Sequence, residues 1–145
     1  MAETIFEASQ WIDAPPAVVF DYFIDPEKIV EWMGLEARVD PVEDGAWLIL
    51  FPGGVETWGR FVVFEPPARL VFTWGSRLQA GVAAPGNPGL TILGDSVVEV
   101  TLTERAGRTL LNLKHSGFAE GEPVAAGWGA FLPALAGIVA AKFKS

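Results

Sequence analysis

The chain contains no cysteine and a single histidine. The first absence excludes disulfides, thiolate nucleophiles and Cys-ligated zinc or iron–sulfur centres. The second means that any imidazole-centred metal site or catalytic dyad must use His115. Basic residues are few: Lys and Arg number 10 against 18 Asp and Glu, for a formal charge of -8. Such a chain repels a phosphate backbone or an anionic bilayer, so nucleic acid is not an expected partner. Glycines, prolines and charges interrupt every apolar run before the ~20 residues that span a bilayer. Met1-Ala2-Glu3-Thr4 has neither the basic flank nor the apolar run of a signal peptide. These absences predict a soluble, unprocessed protein without membrane insertion, placed in the reducing cytoplasm.

What is present is apolar bulk. Half of the 145 residues are hydrophobic and 12% are aromatic, which suits one domain over residues 1–145 with one core. Thr4 to Ile12 reads as a first strand. Asp13 and Ala14-Pro15-Pro16 read as a helix cap and start, with Val18, Val19, Tyr22 and Phe23 at helical spacing. Asp25-Pro26 ends that helix, and a second short one runs from Glu27 to Met33. From Leu35 to Gly117, strands alternate with turn signals at Asp44-Gly45, Pro52-Gly53-Gly54, Glu65-Pro66-Pro67 and Ala106-Gly107, the pattern of an antiparallel meander. Glu122 to Phe143 returns to helical period with Val124, Trp128, Phe131, Leu135, Ile138 and Val139 on one stripe. Pro133 removes a hydrogen bond to Gly129 there and predicts a kink near Gly127 to Gly129. The Gly- and Pro-rich segment from Gln79 to Leu93 is either a surface loop or a lid.

Alternation along hairpins predicts which side chains meet. Around Ala106-Gly107, Leu102 faces Leu111, Val100 faces Leu113 and Val98 faces His115. Around Pro66-Pro67, Phe61 faces Phe72, Val63 faces Leu70 and Gly59 faces Trp74. A four-residue loop over Pro52 to Val55 pairs Leu48 with Gly59 and Leu50 with Thr57. That register sends Trp47, Ile49, Phe51 and Trp58 to the outer face, an apolar patch that predicts a homodimer.

Ile12-Asp13-Ala14-Pro15, Asp25-Pro26-Glu27 through Trp32, Asp44-Gly45, Glu65 through Trp74, His115-Ser116-Gly117-Phe118 and Gly127-Trp128 together resemble the activator-of-heat-shock-chaperone-ATPase homologue family of the START-like, birch-pollen-allergen-like superfamily. The resemblance spans essentially the whole chain. It implies an α+β helix-grip fold: a curved antiparallel sheet of six or seven strands around a long C-terminal helix, with two short helices after the first strand. It also implies a hydrophobic cavity between sheet and C-terminal helix that takes a small apolar molecule. The chain departs from the pattern at Ala46, where a second glycine is usual, and at Trp47 and Ile49, where charges are usual. Its 79–93 segment is longer than usual. The chaperone activator's additional N-terminal domain resembles nothing here, so a chaperone partner is a weaker expectation.

Expected ligand-binding residues are Trp32, Phe61, Phe72, Trp74, Val98, Val100, Leu113, His115, Phe118, Trp128 and Leu132. The three tryptophans could stack a flat ligand or simply fill the core. His115 is either a structural histidine or the polar anchor of an apolar cavity. No second metal ligand stands at a suitable spacing and no carboxylate faces inward to share a proton with His115, so neither a metal, a cofactor nor a catalytic residue is expected. The glycine runs lack the setting of a phosphate loop, and the serines lack a nucleophile elbow. The function expected is carriage or sensing of a small hydrophobic ligand. The alternatives are a polyketide-cyclase-like enzyme with His115 as proton carrier, and a chaperone-associated interaction module.

Overall fold

Ala106 and Gly107 both take positive φ, 54° and 80°, which closes a two-residue hairpin of the type whose twist matches its strands. The computed structural model describes residues 4–78, 92–118 and 124–144. That hairpin joins β6 (Ile92–Arg105) to β7 (Arg108–Ser116), with Leu102 opposite Leu111, Val100 opposite Leu113 and Val98 opposite His115, as alternation predicts. β5 (Arg69–Leu78), β4 (Val55–Glu65), β3 (Ala46–Phe51) and β2 (Glu36–Val39) continue the sheet outward. β1 (Ile5–Ile12) closes its other side against β7. The result is a curved, open, seven-stranded antiparallel sheet in the order β1-β7-β6-β5-β4-β3-β2.

Two short helices follow β1, α1 (Pro16–Ile24) and α2 (Pro26–Trp32). Asp25 caps α2 by accepting a hydrogen bond from the Glu27 backbone N–H at 3.0 Å, as expected of an acidic residue at that position. Asp13 does not cap α1: Pro15 holds the cap position without a side-chain bond. The Asp13 carboxylate instead accepts from Arg108 Nε, tying the start of the helix to β7. α3 (Val124–Lys144) packs on β1, α1 and α2 and runs unbroken through Pro133. Val124, Trp128, Leu132, Leu135 and Val139 enter the core from it. The whole is an α+β fold of the helix-grip kind.

Val124–Phe143 has the length and apolar composition of a membrane span, against the expectation that breaks interrupt every such run. Its exposed face is built mostly from Ala125, Ala126, Gly129, Ala130, Pro133, Ala134 and Gly137, with the charged Lys142 only at its end. The opposite stripe is core, which is the position of α3 in this fold.

The register of β3 overturns the predicted outer patch. The loop to β4 has three residues, Pro52, Gly53 and Gly54, the two glycines at φ 84° and 79°. Phe51 therefore pairs with Val55, Leu50 with Glu56 and Leu48 with Trp58. A slip of one residue moves every side chain to the other face. Trp47 and Ile49 are buried at 6% and 2% exposure, and Phe51 packs against the core beside Phe131. Trp58 remains on the opposite alternation, and the homodimer inferred from the four-residue patch loses its basis. On β4 a three-residue turn and a bulge between Phe61 and Val63 offset one another. Phe61 meets Phe72 as expected, but Phe64 rather than Val63 faces Leu70.

Candidate functional site

Among the described residues, the inner face of β3, β4 and β5 meets α1 and α2 around a small void. Trp47 and Ile49 project from β3, Phe61 from β4, and Phe72 and Trp74 from β5. Phe23, Ile29 and Met33 cover them from the helices. The void is about 20 Å³, measured as the space open to the centre of a water molecule. One water needs ~10–15 Å³ on that measure, so this is room for little more than one. It lies under α1 and α2, beside the space between sheet and α3 in which the family resemblance implies a cavity.

Aromatic rings form its wall. Trp47 meets Phe72 edge-on at 5.6 Å and Trp74 at 5.4 Å. Trp74 in turn meets Trp128 of α3 at 5.4 Å, so one indole separates the void from the region around His115. Offset and edge-to-face pairs of this kind each contribute ~0.5–1.5 kcal/mol beyond their burial.

His115 is 1% exposed and both its ring nitrogens are occupied. Trp128 Nε1 donates to Nδ1 at 3.0 Å, and Ser96 Oγ lies 2.6 Å from Nε2. An indole nitrogen has no lone pair to offer, so Nδ1 must be the acceptor and the imidazole proton sits on Nε2. Nε2–H then donates to Ser96 Oγ, whose own hydroxyl donates to the Trp74 carbonyl at 3.0 Å. The chain of donors runs one way, from Trp128 through His115 and Ser96 to the backbone of β5. Burial lowers the His115 pKa to about 4, so the ring is neutral. An activated serine would donate to the imidazole; here Ser96 accepts from it and donates to the Trp74 carbonyl, which leaves the imidazole no free lone pair or proton and Ser96 no base to activate it.

The structure distributes the expected ligand residues over three places. Phe61, Phe72 and Trp74 line the void. His115 and Trp128 belong to the hydrogen-bonded chain, with the Phe118 ring 5.3 Å from the imidazole. Val98, Val100, Leu113 and Leu132 are core side chains outside the void's lining, and Trp32 donates to the Tyr22 carbonyl at 2.9 Å. Phe23, Ile29, Met33, Trp47 and Ile49 were missed. The first three are apolar residues of helices whose inner faces sequence pattern does not orient, and the last two were assigned to the wrong face. Ser96 was also missed, although the alternation that places Val98 and Val100 inward places it inward too. No cluster of His, Asp and Glu able to hold a metal occurs among the described residues. The 79–93 segment, read as either a surface loop or a lid, lies almost wholly outside the described residues.

Three comparisons with known proteins bear on this site. The model of the Activator of Hsp90 ATPase homolog 1-like protein family matches residues 13–140. CalU16 from Micromonospora echinospora is similar at 29% identity and a TM-score of 0.69, over 93% of this chain and 73% of that one. DynU16, a protein in the dynemicin biosynthetic locus, is 23% identical with a TM-score of 0.71. It matches over 93% of this chain, which spans only 46% of DynU16. PFC0360w, an HSP90 activator from Plasmodium falciparum, is 22% identical with a TM-score of 0.71, over 93% and 95% of the two chains. The last two likenesses speak to fold alone. A search of proteins with curated functions finds no match.

Proposed function

Because the chain belongs to the Activator of Hsp90 ATPase homolog 1-like family, whose fold typically binds ligands, we propose that it binds a small apolar molecule in the void between α1, α2 and strands β3 to β5. The observation that carries this reading is the lining: Phe23, Ile29, Met33, Trp47, Ile49, Phe61, Phe72 and Trp74 present no charged side chain to a space the core leaves unfilled. Interiors normally close such gaps. At about 20 Å³ the void admits a ligand only when its wall gives. Met33, unbranched and seated at the end of α2, is the side chain best able to swing aside.

The neutral, doubly engaged His115 argues against the cyclase-like alternative, since a proton carrier there would first have to break its bonds to Trp128 and Ser96. No described feature favours the chaperone-module alternative over ligand binding.

The test is titration of the apolar fluorophore N-phenyl-1-naphthylamine into the wild type and two variants whose fold is verified by circular dichroism. Met33→Ala enlarges the void and should tighten binding, whereas Ile49→Phe fills it and should weaken binding by about tenfold. Affinities indifferent to both changes would place the dye elsewhere and remove the reading.

A further inference from the structure

Of the four inward tryptophans, Trp32, Trp47 and Trp128 are buried, and the indole donors of two of these three are satisfied. Trp32 Nε1 donates to the Tyr22 carbonyl and Trp128 Nε1 to His115. Trp47 Nε1 is buried, has no hydrogen-bond partner, and belongs to a side chain that lines the void. Its strand neighbour offers no side chain to pair with it. Gly59 lies opposite, and even a Cβ there would stand 2.7 Å from Nε1 and 1.8 Å from the Thr73 carbonyl oxygen. A buried donor left without an acceptor is costly, and such groups in native proteins usually have an explanation.

We propose that the molecule bound in this void carries one neutral carbonyl oxygen on an apolar body, and that Trp47 Nε1–H donates to that oxygen. The proposal rests on the reading of the void as a ligand site and names the chemistry that site selects. A carboxylate is disfavoured because no cationic side chain lines the space, and a buried anion with one neutral donor is poorly paired. A hydroxyl would bring a donor to a lining whose side chains offer it no oxygen. A lone water is also poorly held there: buried waters make about three hydrogen bonds, and the indoles of Trp47 and Trp74 are the only hydrogen-bonding side-chain groups among the lining residues. The apolar body follows from the walls, since Phe72 and Trp74 flank the Trp47 ring with further aromatic surface.

The experiment compares 1-indanone with indane, two probes of one shape that differ in the carbonyl, by NMR on 15N-labelled protein with methionine methyl groups also observed. The Trp47 indole N–H is assigned through its contacts to Phe72 and Trp74. Indanone should bind about tenfold more tightly than indane and move the Trp47 N–H resonance downfield. In Trp47→Phe the preference should vanish while indane affinity is retained. Equal affinities in the wild type, with the Met33 methyl shifting for both probes, would keep the apolar site and overturn the carbonyl. A preference that persists in Trp47→Phe would overturn it as well. Shifts at neither Met33 nor Trp47 would remove the site and the proposal together. Should Trp47→Phe fail to fold, the wild-type resonance decides: indanone and indane moving it equally defeats the proposal.

Discussion

Trp128 and His115 are joined by a bond in which the indole N–H donates to Nδ1 at 3.0 Å, and that bond determines the state of the imidazole. A donor that cannot accept requires a bare nitrogen opposite it. A protonated His115 would set N–H against N–H and lose the link between α3 and β7. The histidine is thus a neutral strut between the C-terminal helix and the sheet, with Ser96 as its second fastening.

The first prediction is the pH dependence this imposes. Burial lowers the folded-state pKa of His115 to about 4 from 6.5. Above pH 6.5 the ring is neutral in both folded and unfolded chains and contributes no slope. Between pH 6.5 and 4 the unfolded chain takes up a proton that the folded one declines. Stability therefore falls by about 3 kcal/mol across that window and no further below it from this group. As the chain has one histidine, its single imidazole resonance reports the midpoint directly. A midpoint near 4 is expected, and one near 6.5 would show that the strut does not hold in solution.

Gly59 is predicted to be irreplaceable. A methyl group on its Cα would lie 1.8 Å from the Thr73 carbonyl oxygen, backbone that cannot turn away. Gly59→Ala should cost about 3 kcal/mol or more in urea unfolding, among the larger effects of single substitutions. A loss below about 1 kcal/mol would mean that β4 and β5 are not held this closely.

Gly137 should behave in the opposite way. It is an exposed residue inside α3, and a Cβ there meets nothing within 4 Å. Gly137→Ala removes backbone freedom from the unfolded chain at no steric cost and should raise stability by about 0.5–1 kcal/mol. The urea midpoint measures it; an unchanged midpoint would indicate that this turn of α3 is not held helical.

Legibility in the sequence followed the local chemistry of each turn. Ala106-Gly107 allows one hairpin geometry, so the pairing of Val98, Val100 and Leu102 with His115, Leu113 and Leu111 could be counted from residues alone. Around Pro66-Pro67 the count reached Phe61 opposite Phe72 because the odd loop and the bulge offset each other, and it missed Phe64 between them. At β3 the method had nothing to hold. Trp47, Leu48, Ile49, Leu50 and Phe51 are all apolar, so alternation marks neither face, and the parity of the Pro52-Gly53-Gly54 loop decided everything.

Turn signals and helical periods were enough by themselves to determine the order of the elements and the inward faces of β6 and β7, because these depend on interactions between residues close in sequence or joined by short turns, while the helix-grip arrangement came from the family resemblance those residues carry. Only the tertiary structure decided that Trp47 enters the core without a partner, that the void lies beneath α1 and α2, and that Ser96 and Trp128 lock the proton of His115. Those outcomes depend on which buried groups come within hydrogen-bonding distance after the sheet curves and the helices close over it, and neither residue spacing nor periodicity records that.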